Sequence, residues 1–289
     1  MHKQPAVSVV IPCYNTHAYL NQTICSVRGQ TFQNIEIIVV DDGSADPATI
    51  DCLSHLGEDV QVVRQSNQGL PAARNAGFAA ACGEFVLPLD ADDWLEPNAV
   101  EKLVNVLKQS PEAGFSFSHI CMDGEGQGIL TKHYNFFEQL FLNQLPYCLM
   151  LRKSLWQTAG GYDETMRHGY EDWEFNIRLG SMGCFGIVVP MPLFHYRVSR
   201  NGMLLRTSNK VHGEIWESIR HKHAKIYGAT NLFRLWREWR RHPSTYPLWL
   251  YFGWLTTANL LPDRAFAALF RITRRYSHGR RVTNTVTEI

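Results

Sequence analysis

Apolar residues in the first 122 positions alternate between short unbroken runs and helical spacings. The unbroken runs predict strands at residues 7–12, 35–40, 60–65, 84–89 and 114–122. Stretches between these runs predict helices near residues 19–30, 48–56 and 70–83, the last rich in small residues. Apolar residues three and four positions apart predict a helix at 99–109. Continuous apolar strands that alternate with helices are typical of a parallel sheet covered on both faces. The pattern therefore predicts an α/β fold with a mostly parallel sheet.

Carboxylates follow two of the predicted strands. Asp41 and Asp42 end the second strand, and Asp90, Asp92 and Asp93 follow the fourth. Ligands of such sheets bind outside the carboxyl ends of the strands, so both groups are expected at one ligand-binding edge. Acidic residues also favour turns and helix starts, and the pattern alone leaves that explanation open.

The second acidic group offers the donors of a divalent-cation site. An EF-hand loop starting at Asp90 requires an oxygen ligand at its fifth position and glycine at its sixth, where Trp94 and Leu95 stand. A Mg²⁺ or Mn²⁺ ion that also binds substrate phosphates requires fewer ligands, and an Asp-x-Asp pair supplies them. The glycine-rich segment 123–128 predicts a loop and matches neither a dinucleotide fingerprint nor a Walker loop.

Five motifs occur in a fixed order: VSVVIPCYN, NQGLPAARNAG, LDADDW, GGYDE and GYEDWEF. Over roughly residues 7–200 the chain resembles family 2 glycosyltransferases, which have the Rossmann-like GT-A fold and use nucleotide sugars. The resemblance implies a GT-A domain at 1–210, with a nucleotide-binding part at about 1–123 and an acceptor and catalytic part at about 124–210. Residues 211–289 form a basic, aromatic-rich helical extension in this division.

The resemblance assigns donor binding to residues near the first three strands. Pro12, Tyr14 and Asn15 line the nucleoside base, and Asp42 contacts the base or the ribose. A carboxylate offers acceptors for ribose hydroxyls or a base N–H, and tyrosine offers a flat face. Arg74 binds the base or a phosphate, and a solvated helix face is the alternative for its guanidinium.

The same resemblance makes Asp90 and Asp92 the metal motif, with Asp92 as the direct ligand of Mn²⁺ or Mg²⁺. The ion bridges the two phosphates of the donor and stabilises negative charge on the departing nucleoside diphosphate. Asp93 supports these ligands or caps the next helix.

A second carboxylate group stands in GYEDWEF. The resemblance assigns Asp172 as the catalytic base, which takes the proton of an acceptor hydroxyl as that oxygen attacks the anomeric carbon. Direct displacement inverts the anomeric configuration. Glu171 lines the acceptor site in this assignment, and an acidic helix start is the alternative explanation for the group.

The segment 192–203 departs from the family pattern. Ser199 stands near the position where a metal-binding or phosphate-binding histidine is expected, so the third metal ligand stays unassigned. His195 lies nearby as a packed histidine, as an acceptor-site residue or as support for the metal ligands. Arg197 and Arg200 are alternative partners for the phosphates.

Charge is divided unevenly along the chain. Residues 1–219 have 15 basic and 24 acidic side chains, a net charge of −9, whereas residues 220–289 have 13 and 3, a net charge of +10. Basic and apolar positions at 231–242, 246–261 and 265–276 predict helices that lie on an anionic membrane surface or pack on the catalytic domain. No nucleic-acid partner is expected, because no recognised nucleic-acid fold accompanies the charge.

Cysteine usage and the N-terminus indicate a cytoplasmic protein. Seven scattered cysteines without a C-x-x-C pair are typical of reduced thiols. The first residues lack the apolar stretch of a secretory signal. We therefore expect a cytoplasmic enzyme, which is peripheral at the inner face of the membrane if the basic helices lie on lipid.

Several activities are compatible with paired carboxylates. A glycoside hydrolase leaves the motifs at residues 12–15 and 41–42 unexplained. A sugar nucleotidyltransferase shares the sheet and the metal, but usually has a glycine-rich basic loop where this chain has CYNTHAYL. A non-catalytic nucleotide-sugar-binding protein does not require Asp172. We expect an inverting transferase that takes its sugar from a nucleoside-diphosphate donor and adds it to a saccharide, lipid-linked or protein-linked glycan. UDP is the nucleotide expected in the donor.

Overall fold

The computed structural model describes residues 4–199, 212–262, 265, 268 and 269. These residues divide into two compact units. Unit 1 takes its described residues from Met1–Lys132, Leu145–Arg167 and Glu171–Ser199. Unit 2 takes its described residues from His133–Gln144, His168–Tyr170 and Arg200–Ile289.

Unit 1 contains one mixed sheet, with nine strands among the described residues. The strands are β1 (Val7–Cys13), β2 (Ile35–Asp41), β3 (Val60–Arg64), β4 (Phe85–Pro88), β5 (Trp94–Leu95), β6 (Phe115–Gly124), β7 (Gly128–Leu130), β8 (Met150–Arg152) and β9 (Gly186–Val198). Their order is β3-β2-β1-β4-β8-β6-β9-β5, and β7 pairs with β6. Strands β3, β2, β1 and β4 are parallel, as is the β6–β9 pair, whereas β5, β7 and β8 pair antiparallel. The α/β prediction is confirmed.

The helices of the described residues are α1 (Leu20–Arg28), α2 (Pro47–Ser54), α3 (Leu70–Ala80), α4 (Ala99–Gln109), α5 (Phe136–Gln139), α6 (Lys153–Ala159), α7 (Glu171–Ser181), α8 (His212–Lys222), α9 (Ala224–Tyr227), α10 (Ala229–Trp239) and α11 (Leu248–Leu260). Helices α5 and α8 to α11 belong to unit 2, and the others belong to unit 1. Helix α4 has the bounds that its apolar spacing predicts, and that apolar stripe is buried.

Helix α3 lies against β1 and β2 at a glycine. A Cβ atom added to Gly77 would stand 2.2 Å from Cγ1 of Val10 and 2.9 Å from Cγ2 of Val40. Glycine therefore allows the helix backbone to approach the sheet closely. Arg74 lies one turn earlier in α3 and is buried, so the same close approach brings its guanidinium to the interior at the strand ends.

Unit 2 is helical and contains a fully buried carboxylate. Glu138 of α5 is hydrogen-bonded to Nε2 of His133 at 2.8 Å and accepts hydrogen bonds from Thr245 Oγ1 and the Tyr246 amide. The prediction of a helical C-terminal region is confirmed, although the helix predicted at 265–276 lies largely outside the described residues. Among the helices that are described, none has both the length and the apolar character that a membrane span requires.

Candidate active site

The turn after β1 exposes an aromatic ring beside a constrained asparagine. Pro12 is buried within β1, and Tyr14 is 49% exposed. Asn15 has a left-handed φ of 50°, which asparagine tolerates better than most residues. Its Oδ1 accepts hydrogen bonds from the amides of Ala45 and Asp46, both at 2.9 Å. These bonds fix the turn and leave the Tyr14 ring at the edge of the sheet.

Asp42 organises the loop that leads into α3. Its Oδ1 accepts hydrogen bonds from Nε2 of Gln65 at 2.7 Å and from the amide of Gln68 at 2.9 Å. Its Oδ2 accepts one from the amide of Gly69 at 2.8 Å. A carboxylate has about four acceptor positions, so these three bonds leave little capacity for a nucleoside. The donor-binding role of Asp42 stays a prediction.

Arg74 joins the two carboxylate motifs. The side chain is 1% exposed, so the alternative of a solvated helix face is wrong. One guanidinium nitrogen bonds Asp90 at 2.7 Å and another bonds Glu171. The guanidinium also lies over the ring of Tyr147, 4.8 Å from its centroid. The two partners raise the pKa of Arg74 and outweigh the lowering effect of burial.

The acidic group after β4 does not start a helix. It leads into β5, and α4 begins only at Ala99, with Asn98 as its N-cap residue. The helix-cap alternative for Asp93 is therefore wrong. Asp93 is instead 1% exposed, with Oδ2 accepting from Tyr147 Oη at 2.5 Å and Oδ1 accepting from the amide of Arg197 at 2.7 Å. Burial, with the neighbouring acidic charges, raises the pKa of Asp93 well above its usual range.

Asp92 offers a carboxylate suited to a cation. Among the described residues, no other residue donates a hydrogen bond to its side chain, although Arg197 Nε donates to its backbone oxygen at 2.9 Å. Burial, followed by the charge of Asp90, raises the pKa of Asp92 to about 6. Mg²⁺ and Mn²⁺ prefer carboxylate oxygens. The residues present therefore fit such an ion, with Asp92 as ligand and Asp90 shared with Arg74.

The second carboxylate motif opens α7. Glu171 is buried against Arg74, and burial raises its pKa against the lowering effect of that guanidinium. Asp172 is only half-buried, and its Oδ1 accepts a hydrogen bond from the amide of Trp173 at 2.8 Å. The acidic helix start is thus present, and it directs the two neighbouring carboxylates into different surroundings. Glu171 is held as a structural ion pair, whereas Asp172 is accessible.

Tyr196 of β9 lies close enough to both carboxylate motifs for their charges to act on its hydroxyl. Burial and then the charges of Asp93, Asp90, Asp92 and Asp172 raise the pKa of its hydroxyl. The structure therefore brings the Asp-x-Asp motif and the Glu-Asp motif to one site. Tyr196 stands in the segment 192–203, but no sequence pattern assigned it to the site, because the acidic residues near it are distant in the sequence.

Lys132 and Tyr147 were missed for the same reason. Burial lowers the pKa of Lys132 to about 8, partly offset by the charge of Asp172. Tyr147 accepts a hydrogen bond from the amide of Asp90 at 2.9 Å and donates one to Asp93. Each contact spans at least 40 positions of the chain, so local patterns give no signal for it.

The hydrogen-bond partners of His195 are carboxylates outside the two motifs. Its Nδ1 lies 2.8 Å from Oδ2 of Asp123, and its Nε2 lies 2.7 Å from Oε1 of Glu96. Ser199 is the last described residue before a gap, and Arg200, the alternative phosphate partner, lies outside the described residues. The assignment of His195 to the acceptor site stays a prediction.

Comparison with known proteins gives concordant matches. The putative glycosyltransferase EpsH of Bacillus subtilis (strain 168) is 45% identical over 226 residues, which span 72% of this chain and 65% of that protein. TarS 1–349 of S. aureus, solved with UDP-GlcNAc, superimposes with a TM-score of 0.65 at 18% identity and covers 94% of this chain and 88% of that one. The mannosyltransferase PcManGT from Pyrobaculum calidifontis, solved with GDP-Man and Mn²⁺, gives 0.55 at 18% identity and covers 93% and 85%.

The two structural neighbours have the same fold and were solved with nucleotide sugars, one of them with a metal ion. A family model described as glycosyl transferase family 2 matches residues 8–168, more than half of the sequence. The chain belongs to glycosyl transferase family 2.

Proposed function

We propose that the chain transfers a sugar from a nucleoside-diphosphate donor to a hydroxyl of a glycan acceptor, with inversion at the anomeric carbon. UDP is the nucleotide that we propose for the donor. The observation that supports this proposal most is the environment of Asp92. This half-buried carboxylate lacks a hydrogen bond from any other described residue, and its partner Asp90 is anchored by Arg74. The next feature is Asp172, accessible in the other carboxylate motif.

The donor half of the proposed reaction uses the strand ends. Tyr14 offers a ring face to the base from a turn that Asn15 fixes. Asp92 and Asp90 would hold Mn²⁺ or Mg²⁺, and the bound ion would stabilise negative charge on the departing nucleoside diphosphate. The guanidinium of Arg74 already bonds Glu171 and Asp90. Its proposed role is therefore to position Asp90 rather than to bind phosphate.

The acceptor half depends on Asp172. Its carboxylate takes the proton of the acceptor hydroxyl as that oxygen bonds to the anomeric carbon and the bond to the nucleoside diphosphate breaks. One displacement of this kind inverts the anomeric configuration. The ion pair between Glu171 and Arg74 fixes the first turn of α7 and so holds Asp172 in place. We propose that the nucleotide-binding part lies at about residues 1–123 and the acceptor part at about residues 124–210.

An anionic membrane surface is the partner that we assign to unit 2. The exposed side of α10 and its flanks presents Arg234, Arg237 and Arg241 together with Phe233, which is 52% exposed. Trp249 at the start of α11 is 72% exposed. Basic side chains beside exposed aromatic rings are typical of helices that lie in a membrane interface. Lipid-linked glycans are acceptors available at such a surface.

Calorimetric titration of nucleotides tests the donor site. The full chain is titrated with UDP, GDP and dTDP, each with and without Mn²⁺. We expect metal-dependent binding of one nucleotide and its loss in Asp92→Asn. The matched control is Asp51→Asn, because that carboxylate is 75% exposed on α2 and is expected to leave binding unchanged.

The outcomes separate the candidate functions. Binding that is independent of metal and survives Asp92→Asn would contradict the proposed role of Asp92. A sugar nucleotidyltransferase would release pyrophosphate from a nucleoside triphosphate and a sugar phosphate, whereas the proposed transferase releases a nucleoside diphosphate. Chromatography of the nucleotide product decides between these two reactions.

A further inference from the structure

A second group of potential metal ligands lies in unit 1 on β6 and β9. Cys121, Asp123 and His195 each offer one ligand atom, and these atoms all lie within 4.8 Å of one another. Cys121 and His195 are in-register partners of the β6–β9 pair, and Asp123 follows two positions along β6. In-register partners and residues two apart share one face of a sheet. We call these three residues the β6–β9 cluster.

The β6–β9 cluster lies on the face of β9 opposite to Phe194. On β9, the ring of His195 stacks on Trp94 with centroids 4.8 Å apart. Phe194 points to the opposite face and packs edge-on against Tyr147, which contacts Asp90 and Asp93. Successive side chains of a strand alternate between faces. The cluster shares no ligand residue with the Asp-x-Asp site.

Glu96 gives His195 the environment of a metal-binding histidine. Nε2 of His195 lies 2.7 Å from Oε1 of Glu96, which leaves Nδ1 on the side of Asp123. Histidines that bind metals generally donate their other ring N–H to a carboxylate, which fixes the tautomer and strengthens the ligand nitrogen. With Glu96 in this role, Nδ1 is the ring atom available to a metal ion.

We infer that the β6–β9 cluster binds one Zn²⁺ ion through Cys121 Sγ, an Asp123 carboxylate oxygen and His195 Nδ1, with water as the fourth ligand. A thiolate and an imidazole favour zinc over the hard cations that carboxylates and phosphates favour. The two proposed sites therefore differ in metal class. Binding would link β6 to β9 at the level where Arg197 contacts Asp93.

Metal binding at the cluster requires a small local rearrangement. Zinc–ligand bonds of about 2.0–2.3 Å place ligand atoms roughly 3–4 Å apart, so the side chains must move inward from their present separation. The hydrogen bond between Asp123 and His195 is replaced by two bonds to the metal, and the Nδ1 proton of His195 and the thiol proton of Cys121 pass to solvent. His195 and Asp123 have exposed fractions of 15% and 36%, so the cluster is accessible from solvent.

Cobalt titration tests the site directly, because Co²⁺ replaces Zn²⁺ and reports its ligands by absorption. The full chain, freed of metals by chelation and kept in excess Mg²⁺, is titrated with Co²⁺. We expect a thiolate-to-cobalt charge-transfer band in the near ultraviolet that saturates and is abolished by added Zn²⁺. The band should be missing in Cys121→Ala and present in Cys52→Ala, a control that also removes a half-buried thiol from unit 1.

Further variants make the test decisive. Glu96→Gln keeps all three ligands and should weaken Co²⁺ binding by about 10–100-fold. Asp92→Asn should keep the band, which makes the result independent of the proposed glycosyl transfer. Circular dichroism verifies the fold of each variant, and His195→Gln serves if Cys121→Ala is misfolded. A wild-type chain without the band, or a band that persists in the folded Cys121 or His195 variant, overturns the inference.

Discussion

Arg74 is the residue that balances the charge of the two carboxylate motifs. Its guanidinium is fully buried and bonds both Asp90 and Glu171. Removing one partner of a buried ion pair leaves an uncompensated charge, which costs about 3–5 kcal/mol. We expect Arg74→Met to lower the free energy of unfolding by that amount in urea denaturation at neutral pH.

Two further variants identify the cause of that loss. The double variant Arg74→Met/Glu171→Gln replaces one of the two carboxylates left without a partner by a neutral amide. Part of the free energy of unfolding lost in Arg74→Met should therefore return. Arg64→Met removes an arginine whose side chain is 64% exposed and should change stability by less than about 1 kcal/mol. An Arg74→Met protein as stable as the wild type would show that the buried pair contributes nothing to folding.

The raised pKa of Asp92 predicts how the stability of the folded protein changes with pH. Burial raises the pKa from 3.8 to about 6, so between these values the folded protein binds more protons than the unfolded chain. Stability therefore falls as the pH rises through about 6. In chelator, we expect Asp92 to lower the free energy of unfolding by on the order of 1–2 kcal/mol between about pH 5 and neutral pH.

Denaturation of Asp92→Asn at both pH values isolates this effect, because other buried acids titrate in both proteins. The variant should show the smaller loss of stability towards neutral pH. Mn²⁺ should stabilise the wild type at neutral pH and not the variant, since the ion requires the ionised carboxylate. Equal pH slopes for the two proteins would contradict the raised pKa.

Asp172 predicts a separation between donor binding and turnover. Because the proposed base acts on the acceptor, Asp172→Asn should lower kcat by about 10²–10⁴-fold and leave nucleotide affinity unchanged. Glu112→Gln, an exposed carboxylate change, is the control for both measurements. A variant that loses nucleotide binding and turnover together would place Asp172 in the donor site instead.

Two helical glycines predict opposite effects at the scale of elements. In α3 a Cβ on Gly77 would overlap Val10, so Gly77→Ala should destabilise the protein by about 1–3 kcal/mol. In α11, among the described residues, no atom outside Gly253, its two neighbours and the adjoining helix backbone lies within 4 Å of a Cβ built on Gly253, so Gly253→Ala should stabilise by about 0.5–1 kcal/mol through helix propensity. Thermal denaturation of both variants checks the signs. A neutral Gly77→Ala would mean that α3 shifts away from the sheet.

The elements that the sequence predicts well are those with strong periodicity. Helix α4 has its predicted bounds, and β1 and β2 lie where the apolar runs place them. The segment 123–128 was predicted as a loop, yet β6 runs to Gly124 and β7 starts at Gly128, so only a tight turn separates them. Pairing with β6 makes residues 128–130 a strand, although the preferences of the individual residues predict a loop.

The candidate site shows the same division between local and distant information. The motifs locate Asp90, Asp92 and Asp172 because their carboxylates stand together in short stretches. They do not show that Arg74 is buried, since its partners lie 16 and 97 positions away. The ligand atoms of the β6–β9 cluster likewise meet only through strand pairing, across 72 positions for Asp123 and His195.

At the scale of the whole molecule, the opposed charges of the two parts of the chain have a testable consequence. The net charge of +10 in residues 220–289 is carried partly by exposed arginines of unit 2. Each basic residue near an anionic bilayer contributes about 1 kcal/mol to binding. We expect the full chain to sediment with vesicles that contain phosphatidylglycerol, but not with pure phosphatidylcholine vesicles, and expect salt to weaken binding.

Charge-matched variants distinguish a specific membrane face from general attraction. Arg234→Ser/Arg237→Ser/Arg241→Ser should weaken vesicle binding roughly 100-fold, because it removes about 3 kcal/mol of attraction. The matched control takes the same charge from unit 1 through Arg64→Ser and Lys108→Ser, with Lys102→Ser as the third change. Equal losses in both triple variants would indicate nonspecific attraction. Full binding by the Arg variant would indicate that the exposed Phe233 and Trp249 rings, rather than charge, hold the protein at the membrane.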